Sequence, residues 1–286
     1  MTDDIFAKIR TCYNQFTKAE KRVADFVLQK PEQVLYMSIT DLADSCGVGD
    51  TSVFRFCRDL DRKGYQDFKM ALAGTLASGR EDLEGTQMAG VVGPKDSLED
   101  VVKKVLATNV SALHETYRLL RLEDINTAVE WMIQAKNIYF FGVGGSMVAA
   151  LEAQSRFMRI TSKVHMTIDL HLQAMSAALM DKEDLAIAFS YSGATKDTLD
   201  VVTKARSGGA KIIGITRFTR SPLAALCDLR LLCGANEGPM QGGSMSVKMS
   251  QFLLLDLLYT EYFKRTYDVS AKQKAATAEA ISNKLY

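Results

Sequence analysis

The sequence lacks any hydrophobic run long enough to cross a membrane. Even Phe252–Leu258 is short and is interrupted by Asp256, whereas a spanning helix needs about 20 predominantly apolar residues. The chain begins Met1–Thr2–Asp3–Asp4, which is acidic and differs from the basic and then apolar layout of a secretion signal. We therefore expect a soluble protein of the cytoplasm with no membrane partner.

Cysteine and histidine are scarce, and neither is spaced like a set of metal ligands. The five cysteines are odd in number and form no C-x-x-C pair, which argues against a disulfide framework and a zinc site. The three histidines, His114, His165 and His171, have no metal-ligand spacing. We predict no structural metal, and the sequence gives no reason to expect a cofactor.

An excess of charge is also absent. The formal net charge is +1, which counts mildly against nucleic-acid binding because DNA-binding domains are usually basic. With 47% hydrophobic and 24% charged residues, the composition is that of a folded globular protein. A length of 286 residues is enough for two domains with separate cores.

The amino-terminal third has apolar residues at helical spacing. Thr17 and Glu20 have the spacing of a capping box, which predicts a helix that begins after Thr17 and is ended by Pro31. Ser38–Leu60 then has the pattern of two helices joined by a tight turn at Gly47. This pattern predicts a helix-turn-helix.

The second helix of this pair carries the residues that we expect to face DNA. Its first residues would face base edges, and cations farther along would lie near phosphates. The candidates are Thr51, Ser52 and Arg55 for base edges and Arg58, Arg62, Lys63 and Lys69 for phosphates. The alternative is a solvated charged face on a small helical bundle, because Asp59, Asp61 and Asp67 nearly cancel these cations.

Residues 78–97 lose periodicity and contain glycine and proline, so we predict a linker there. It would separate an all-α helix-turn-helix domain of residues 1–77 from a second domain of residues 98–286. From Ile138 onward apolar strands alternate with helices. This alternation predicts an α/β three-layer domain, with a parallel sheet and helices on both faces.

Two of the predicted strands end in turns rich in glycine and hydroxyl residues. Leu185–Phe189 leads into Ser190–Thr195, an upstream strand leads into Gly142–Ser146, and a helix follows each turn. Such turns suit a phosphate, because helix N-termini bind anions and parallel strands bind ligands at their carboxyl ends. Each turn alone is also compatible with an ordinary helix cap. A dinucleotide motif is incomplete, since Met147 stands at the third glycine position.

These motifs together resemble the RpiR-type bacterial transcriptional regulators, which carry a sugar isomerase (SIS) domain behind an amino-terminal helix-turn-helix domain. The resemblance covers nearly the whole chain and includes the order of the domains. It rests on Gly142-x-Gly144-x-Ser146, Ser190-x-Ser192-Gly193-x-Thr195, Gly214–Ile215–Thr216, Ser221–Pro222–Leu223, Phe54–Arg55–Phe56–Cys57 and Gly64–Lys69. One departure is Asp61, at a position where the family usually has glycine.

The resemblance implies a phosphosugar-binding SIS fold and a regulator of a sugar or amino-sugar catabolic operon. The partners would be a double-stranded DNA operator, a phosphosugar effector and further copies of the chain in a homodimer or homotetramer. The implied ligand contacts are the side chains of Ser146, Ser190, Ser192 and Thr195, the backbone N–H groups of Tyr191 and Gly193, and Gly144 in the first turn. His171 and Glu237 are the remaining polar candidates.

Two other functions stay open from the sequence. A phosphosugar aldose–ketose isomerase needs a base and a ring-opening group, which Glu237 and His171 offer. A helix-turn-helix gives a catalyst no obvious benefit, so we expect that the protein is not an enzyme. The other possibility is an oligomerisation module whose pocket is empty.

Overall fold

The computed structural model describes residues 4–78, 92–235, 244–282 and residue 284. These residues fall into two compact units, which divide between Thr108 and Asn109. The predicted linker of residues 78–97 lies largely outside the described residues, so the domain boundaries stay a prediction. Within the described residues, none of the helices has both the length and the apolar character needed to cross a bilayer.

The first unit is helical, as predicted. Its helices are α1 (Ile5–Cys12), α2 (Lys18–Gln29), α3 (Pro31–Tyr36), α4 (Ile39–Cys46), α5 (Asp50–Asp59) and α6 (Tyr65–Ser78), with a 3-10 turn at Tyr13–Gln15. Apolar side chains from all six helices share one core, in which the Phe56 ring lies 5.2 Å from the Phe16 ring and 5.5 Å from the Phe68 ring, measured between centroids. The short helix α3 was missed by sequence reasoning, because Pro31 begins it as well as following α2.

Caps fix the ends of the helix-turn-helix. The capping box of Thr17 and Glu20 is present as predicted, and Ser38 with Asp41 forms a second one before α4. Helix α4 ends at Gly47, whose φ of +63° is the left-handed conformation that terminates helices. Asp61 adopts the same conformation after α5, with a φ of +57°. The departure from glycine at this position therefore keeps the left-handed turn.

The remaining chain alternates helices and strands. Its elements are α7 (Leu98–Leu119), α8 (Leu122–Gln134), β1 (Ile138–Gly142), α9 (Gly145–Phe157), β2 (Val164–His165), α10 (Leu170–Ala178), β3 (Leu185–Phe189), α11 (Lys196–Ser207), β4 (Lys211–Thr216), α12 (Pro222–Leu226), β5 (Leu229–Leu232), α13 (Met245–Arg265) and α14 (Tyr267–Ser282). The strands form one parallel sheet in the order β2-β1-β3-β4-β5.

Helices cover both faces of this sheet. On one face, α8, α9 and α13 bury Phe140, Phe157 and Leu254 against the strands. On the other face, α10, α11 and α12 bury Phe141 and Val202. Alternate residues of β1 thus enter opposite cores, which confirms the predicted three-layer α/β architecture.

Candidate functional site

The two Gly/Ser turns leave the sheet side by side. Strands β1 and β3 are hydrogen-bonded neighbours, and Gly142 at the end of β1 pairs in register with Phe189 at the end of β3. Neighbouring strands lie about 4.8 Å apart, so both turns start from adjacent points on the carboxyl edge of the sheet.

Glycine residues shape the first turn, and a buried side-chain amide hydrogen-bonds to the strand end that leads into it. A Cβ at Gly142 would lie 2.7 Å from the Ser146 carbonyl oxygen, so the close turn into α9 requires glycine there. Gly144 is the N-cap of α9 with a φ of +56°. The Gln173 Nε2 donates to the Gly142 carbonyl at 3.2 Å and to the Thr167 carbonyl at 2.9 Å, which fixes the end of β1.

Ser146 in the first turn contacts a second buried amide. The Gln251 Nε2, on helix α13, lies 3.5 Å from the Ser146 Oγ. Gln251 is fully buried, and its Oε1 has no hydrogen-bond partner within the described residues. Sequence reasoning missed both Gln173 and Gln251, because each lies on a helix distant in sequence from the turn that it contacts and belongs to no local motif.

The second turn is tied to the start of α12. Gly193 has a φ of +61°, and a Cβ there would overlap the Ser221 hydroxyl. The Leu223 N–H donates to the Gly193 carbonyl at 2.8 Å, while the Gly193 N–H donates to the Ser190 carbonyl at 3.2 Å. The expected Gly193 donor is therefore already engaged within the turn, and this residue supplies conformation and close packing instead.

Other polar groups of the second turn lie next to the N-terminus of α11. The Ser190 and Thr195 hydroxyl oxygens lie 3.5 Å apart, and the Ser192 Oγ accepts from the Ala194 N–H at 3.3 Å. Among the described residues, the backbone N–H groups of Ser192 and Thr195 have no acceptor. Thr195 is the N-cap of α11, but its side chain makes no capping hydrogen bond.

Helix α11 therefore begins without the usual side-chain cap. The first N–H groups of a helix need an acceptor from outside the helix, and they carry the positive end of its dipole. The Thr198 Oγ1, in the first turn of α11, is buried and also has no hydrogen-bond partner within the described residues. An anion with several oxygen atoms matches this combination of free donors and hydroxyls.

Tyr191 has a structural role in addition to any backbone contact. Its hydroxyl donates to the Ala235 carbonyl at 2.8 Å, and its ring lies 6.1 Å from the Phe218 ring, measured between centroids. Its carbonyl accepts from the Arg217 N–H at 3.1 Å. The side chain thus anchors the second turn to the segments that follow β4 and β5.

The two further polar candidates differ in what the structure describes. His171 is exposed in the first turn of α10, two residues before Gln173. Glu237 lies outside the described residues. A cavity of 390 Å³ lies beside β5 and the segment that follows β4, with Arg121, Arg220 and Arg230 among its lining residues. Its lining includes no residue of either Gly/Ser turn.

In the first unit, helix α5 presents the predicted base-reading residues on its outer face. Thr51, Arg55 and Arg58 are exposed, and Ser52 is half-buried. The Thr40 hydroxyl donates to the Asp50 carboxylate at 2.9 Å, which fastens the start of α5 to α4. The two helices of the motif are thus held together next to the residues predicted to read DNA.

The two lysines predicted to approach phosphates differ in exposure. Lys63 is exposed, but only 6% of Lys69 is accessible. The Lys69 Nζ donates to the carbonyls of Leu35 at 3.3 Å and Met37 at 3.2 Å, so it satisfies the end of α3. The prediction that Lys69 contacts a DNA phosphate is therefore wrong, because its ammonium group is buried in the helical core.

Two of the carboxylates that would cancel the cations of this face have other partners. The Asp61 carboxylate lies 2.8 Å from the Lys8 Nζ, and this lysine holds the pKa of Asp61 below its usual range. The Asp67 carboxylate accepts from the Lys63 backbone N–H at 2.8 Å. Asp59 lies near enough to Arg55 for the two charges to interact, and Arg55 and Arg58 both stay exposed on α5.

Comparison with known protein families agrees with both units. The helix-turn-helix domain of the rpiR family matches residues 4–79, and the SIS domain matches residues 132–261. An HTH-type transcriptional regulator of Caldanaerobacter subterraneus is 32% identical over 98% of this chain and 97% of its own. The chain belongs to the RpiR family of transcriptional regulators.

This RpiR-family protein is also similar to two named regulators, HexR and NanR, and to one isolated sugar isomerase domain. The regulator HexR of Pseudomonas aeruginosa is 33% identical over 90% of this chain and 88% of its own length. The structure of Vibrio vulnificus NanR in complex with ManNAc-6P has a TM-score of 0.84 and 29% identity, covering 98% of this chain and 99% of that one. The sugar isomerase domain of an RpiR factor from Sphaerobacter thermophilus shares the fold, with a TM-score of 0.55 over 64% of this chain.

Proposed function

We propose that this regulator binds a phosphorylated sugar at the two Gly/Ser turns, and that the bound sugar changes the affinity of its helix-turn-helix for an operator. The operator would control genes for sugar or amino-sugar catabolism. The observation that carries the proposal is the uncapped N-terminus of α11, where Ser192 and Thr195 have backbone N–H groups without acceptors among the described residues.

A phosphate group fits the polar groups of this turn better than a neutral ligand does. The hydroxyls of Ser190, Ser192 and Thr195 and the first N–H groups of α11 are hydrogen-bond donors that an oxyanion would engage together. The positive end of the helix dipole adds an electrostatic preference for negative charge. Ser146, at the neighbouring turn, would contact the same ligand from the end of β1.

The similarity to NanR suggests which sugar phosphate to test first. That protein was solved with ManNAc-6P, a phosphorylated N-acetyl amino sugar. We therefore place N-acetylated hexosamine phosphates at the head of the candidate effectors, ahead of simple hexose phosphates. His171, and Glu237 outside the described residues, are the proposed polar contacts to the sugar.

The DNA-binding part of the proposal rests on the exposed face of α5. Thr51, Ser52 and Arg55 would contact base edges, because they lie within the first six residues of the second helix of the motif. Arg58 and Lys63 would contact phosphates and thereby set the position of the helix on the duplex.

Exposed apolar side chains favour assembly into a homodimer or homotetramer. Leu98, Val102 and Val105 form an exposed stripe on α7, at 79%, 59% and 51% accessibility. Helix α10 and its C-cap expose Met175 and Leu179 in the same way. Paired copies would present two reading helices to a palindromic operator, as half-site recognition requires.

The ligand proposal is tested by thermal unfolding of the full chain with a panel of hexose and N-acetylhexosamine phosphates. A ligand at 100 times its Kd stabilises the folded state by about 2.7 kcal/mol. The double variant Ser192→Ala/Thr195→Ala should lose this stabilisation. Its matched control is Thr203→Ala/Ser207→Ala, which removes two hydroxyls from the other end of α11.

Two results would contradict the ligand proposal. The first is an unchanged unfolding temperature of the wild type with every compound of the panel. The second is the same stabilisation in the Ser192/Thr195 variant as in the wild type. Formation of an isomerised sugar phosphate on mixing would instead identify an enzyme.

A further inference from the structure

Helix α5 exposes an aromatic side chain among its predicted DNA-reading residues. Phe54 is 39% accessible, although Val53, Phe56 and Cys57 around it are fully buried in the helical core. On a helix, residues three and four apart share a face, so Phe54 lies on the same side as Thr51 and Arg58. The outward face of α5 thus combines one apolar ring with hydroxyl and guanidinium groups.

The Phe54 ring is supported by the chain that follows α5. A Cβ added at Gly64 would lie 3.4 Å from the Phe54 Cε2, so the ring rests near the backbone at Gly64. A Cβ at position 64 would be in van der Waals contact with the ring. The aromatic group is therefore packed on one side and open on the other.

The thymine 5-methyl is the apolar group that base pairs present in the major groove. An apolar side chain that enters the groove therefore has one specific partner. We propose that Phe54 contacts a thymine methyl and so selects thymine at one position of each half-site. This inference rests on the DNA-binding role proposed above. It adds apolar readout to the polar contacts expected of Thr51, Ser52 and Arg55.

The surroundings of Phe54 favour DNA over an apolar protein partner. Arg55 and Arg58 are both exposed on the same helix face, and both are attracted to phosphates. An apolar protein surface would have to desolvate these two guanidinium groups, which costs free energy unless each finds an acceptor. A DNA groove supplies acceptors for both and a methyl group for the ring.

The test begins with a duplex selected from random sequence by the full-length wild-type protein. Each thymine of that duplex is then replaced by uracil, which removes only the methyl group. In each half-site, one thymine should be sensitive for the wild type. Replacing that single thymine by uracil should weaken binding about fourfold, since burial of one methyl group is worth about that factor. For Phe54→Ala, the same replacement should leave binding unchanged.

The matched control is Met70→Ala, which removes an exposed apolar side chain from α6 in the same unit. This variant should keep the uracil sensitivity of the wild type. Circular dichroism checks that Phe54→Ala is folded, and Phe54→Leu, which keeps an apolar group, should retain part of the sensitivity.

The inference is overturned if no single uracil weakens wild-type binding, or if Phe54→Ala keeps the full sensitivity at the same thymine. A selection that yields no preferred duplex is a different failure, because it contradicts the DNA-binding proposal itself.

Discussion

Gly193 and Ser221 are in such close contact that a methyl group on Gly193 would overlap the Ser221 hydroxyl. The contact joins the second Gly/Ser turn to the N-cap of α12, where the Ser221 Oγ accepts from the Ala224 N–H at 3.1 Å. The turn after β3 and the segment after β4 are therefore shaped together.

Gly193→Ala should destabilise the fold by about 2–4 kcal/mol, because it adds both a left-handed backbone strain and a steric overlap. Adding Ser221→Gly should recover part of the loss, since it removes the overlapping side chain. Urea unfolding of the two single variants and the double variant measures this coupling. Additive losses would show that the two residues do not interact.

Thr198→Val should leave the stability unchanged or raise it by about 1 kcal/mol. Its hydroxyl is buried without a partner among the described residues, and valine has the same shape without the polar group. Thr198→Ala is the control and should lose about 1 kcal/mol, because it removes a buried methyl group. Urea unfolding without ligand makes the measurement, and a clear loss in Thr198→Val would mean that the hydroxyl is satisfied.

The ion pair of Lys8 and Asp61 should give stability that depends on pH. Lys8 lowers the pKa of Asp61 by hydrogen bonding and by its charge. A carboxylate with a lowered folded-state pKa contributes stability above its unfolded pKa of about 3.9, and loses that contribution as pH falls through the folded value.

Asp61→Asn tests this contribution, because asparagine tolerates the left-handed backbone and has no charge. The variant should be slightly less stable than the wild type at pH 7, since an exposed ion pair contributes little. The difference should shrink as the pH falls below about 4 and disappear once the pH is below the lowered folded-state pKa of Asp61. A difference that grows on acidification would contradict the assignment.

Lys63→Gln and Lys69→Met should separate a phosphate contact from a structural lysine. Lys63→Gln should leave the stability unchanged, weaken binding to all DNA sequences, and lower the slope of log K against log salt by about 1. Lys69→Met should lower the unfolding temperature, because the carbonyls of Leu35 and Met37 lose their donor. DNA titrations at several salt concentrations and thermal unfolding decide between these outcomes.

The fold was predictable where local patterns agree with tertiary packing. The predicted strand Leu185–Phe189 coincides with β3, because an apolar run and the polar turn after it mark its ends clearly. Helix α3 escaped prediction, since six residues are too few for a periodic pattern. The capping box at Thr17 was correct because both of its partners are local.

The candidate site was predictable only in part. The turn residues are contiguous in sequence and follow strands, so the motif could be recognised locally. Gln173 and Gln251 reach the first turn from distant helices, and no local spacing reveals that contact. The error at Lys69 has the same origin, because sequence alone could not show that α3 directs two carbonyls at this ammonium group.

The most direct test of the account is the affinity for the selected duplex, measured by fluorescence anisotropy with and without a saturating N-acetylhexosamine phosphate that stabilises the wild type. The affinity of the wild type should change at least about fivefold, as is usual for coupled sites, and that of Ser192→Ala/Thr195→Ala should not change. An unchanged wild-type affinity, or the same change in both proteins, would contradict control of DNA binding by these turns.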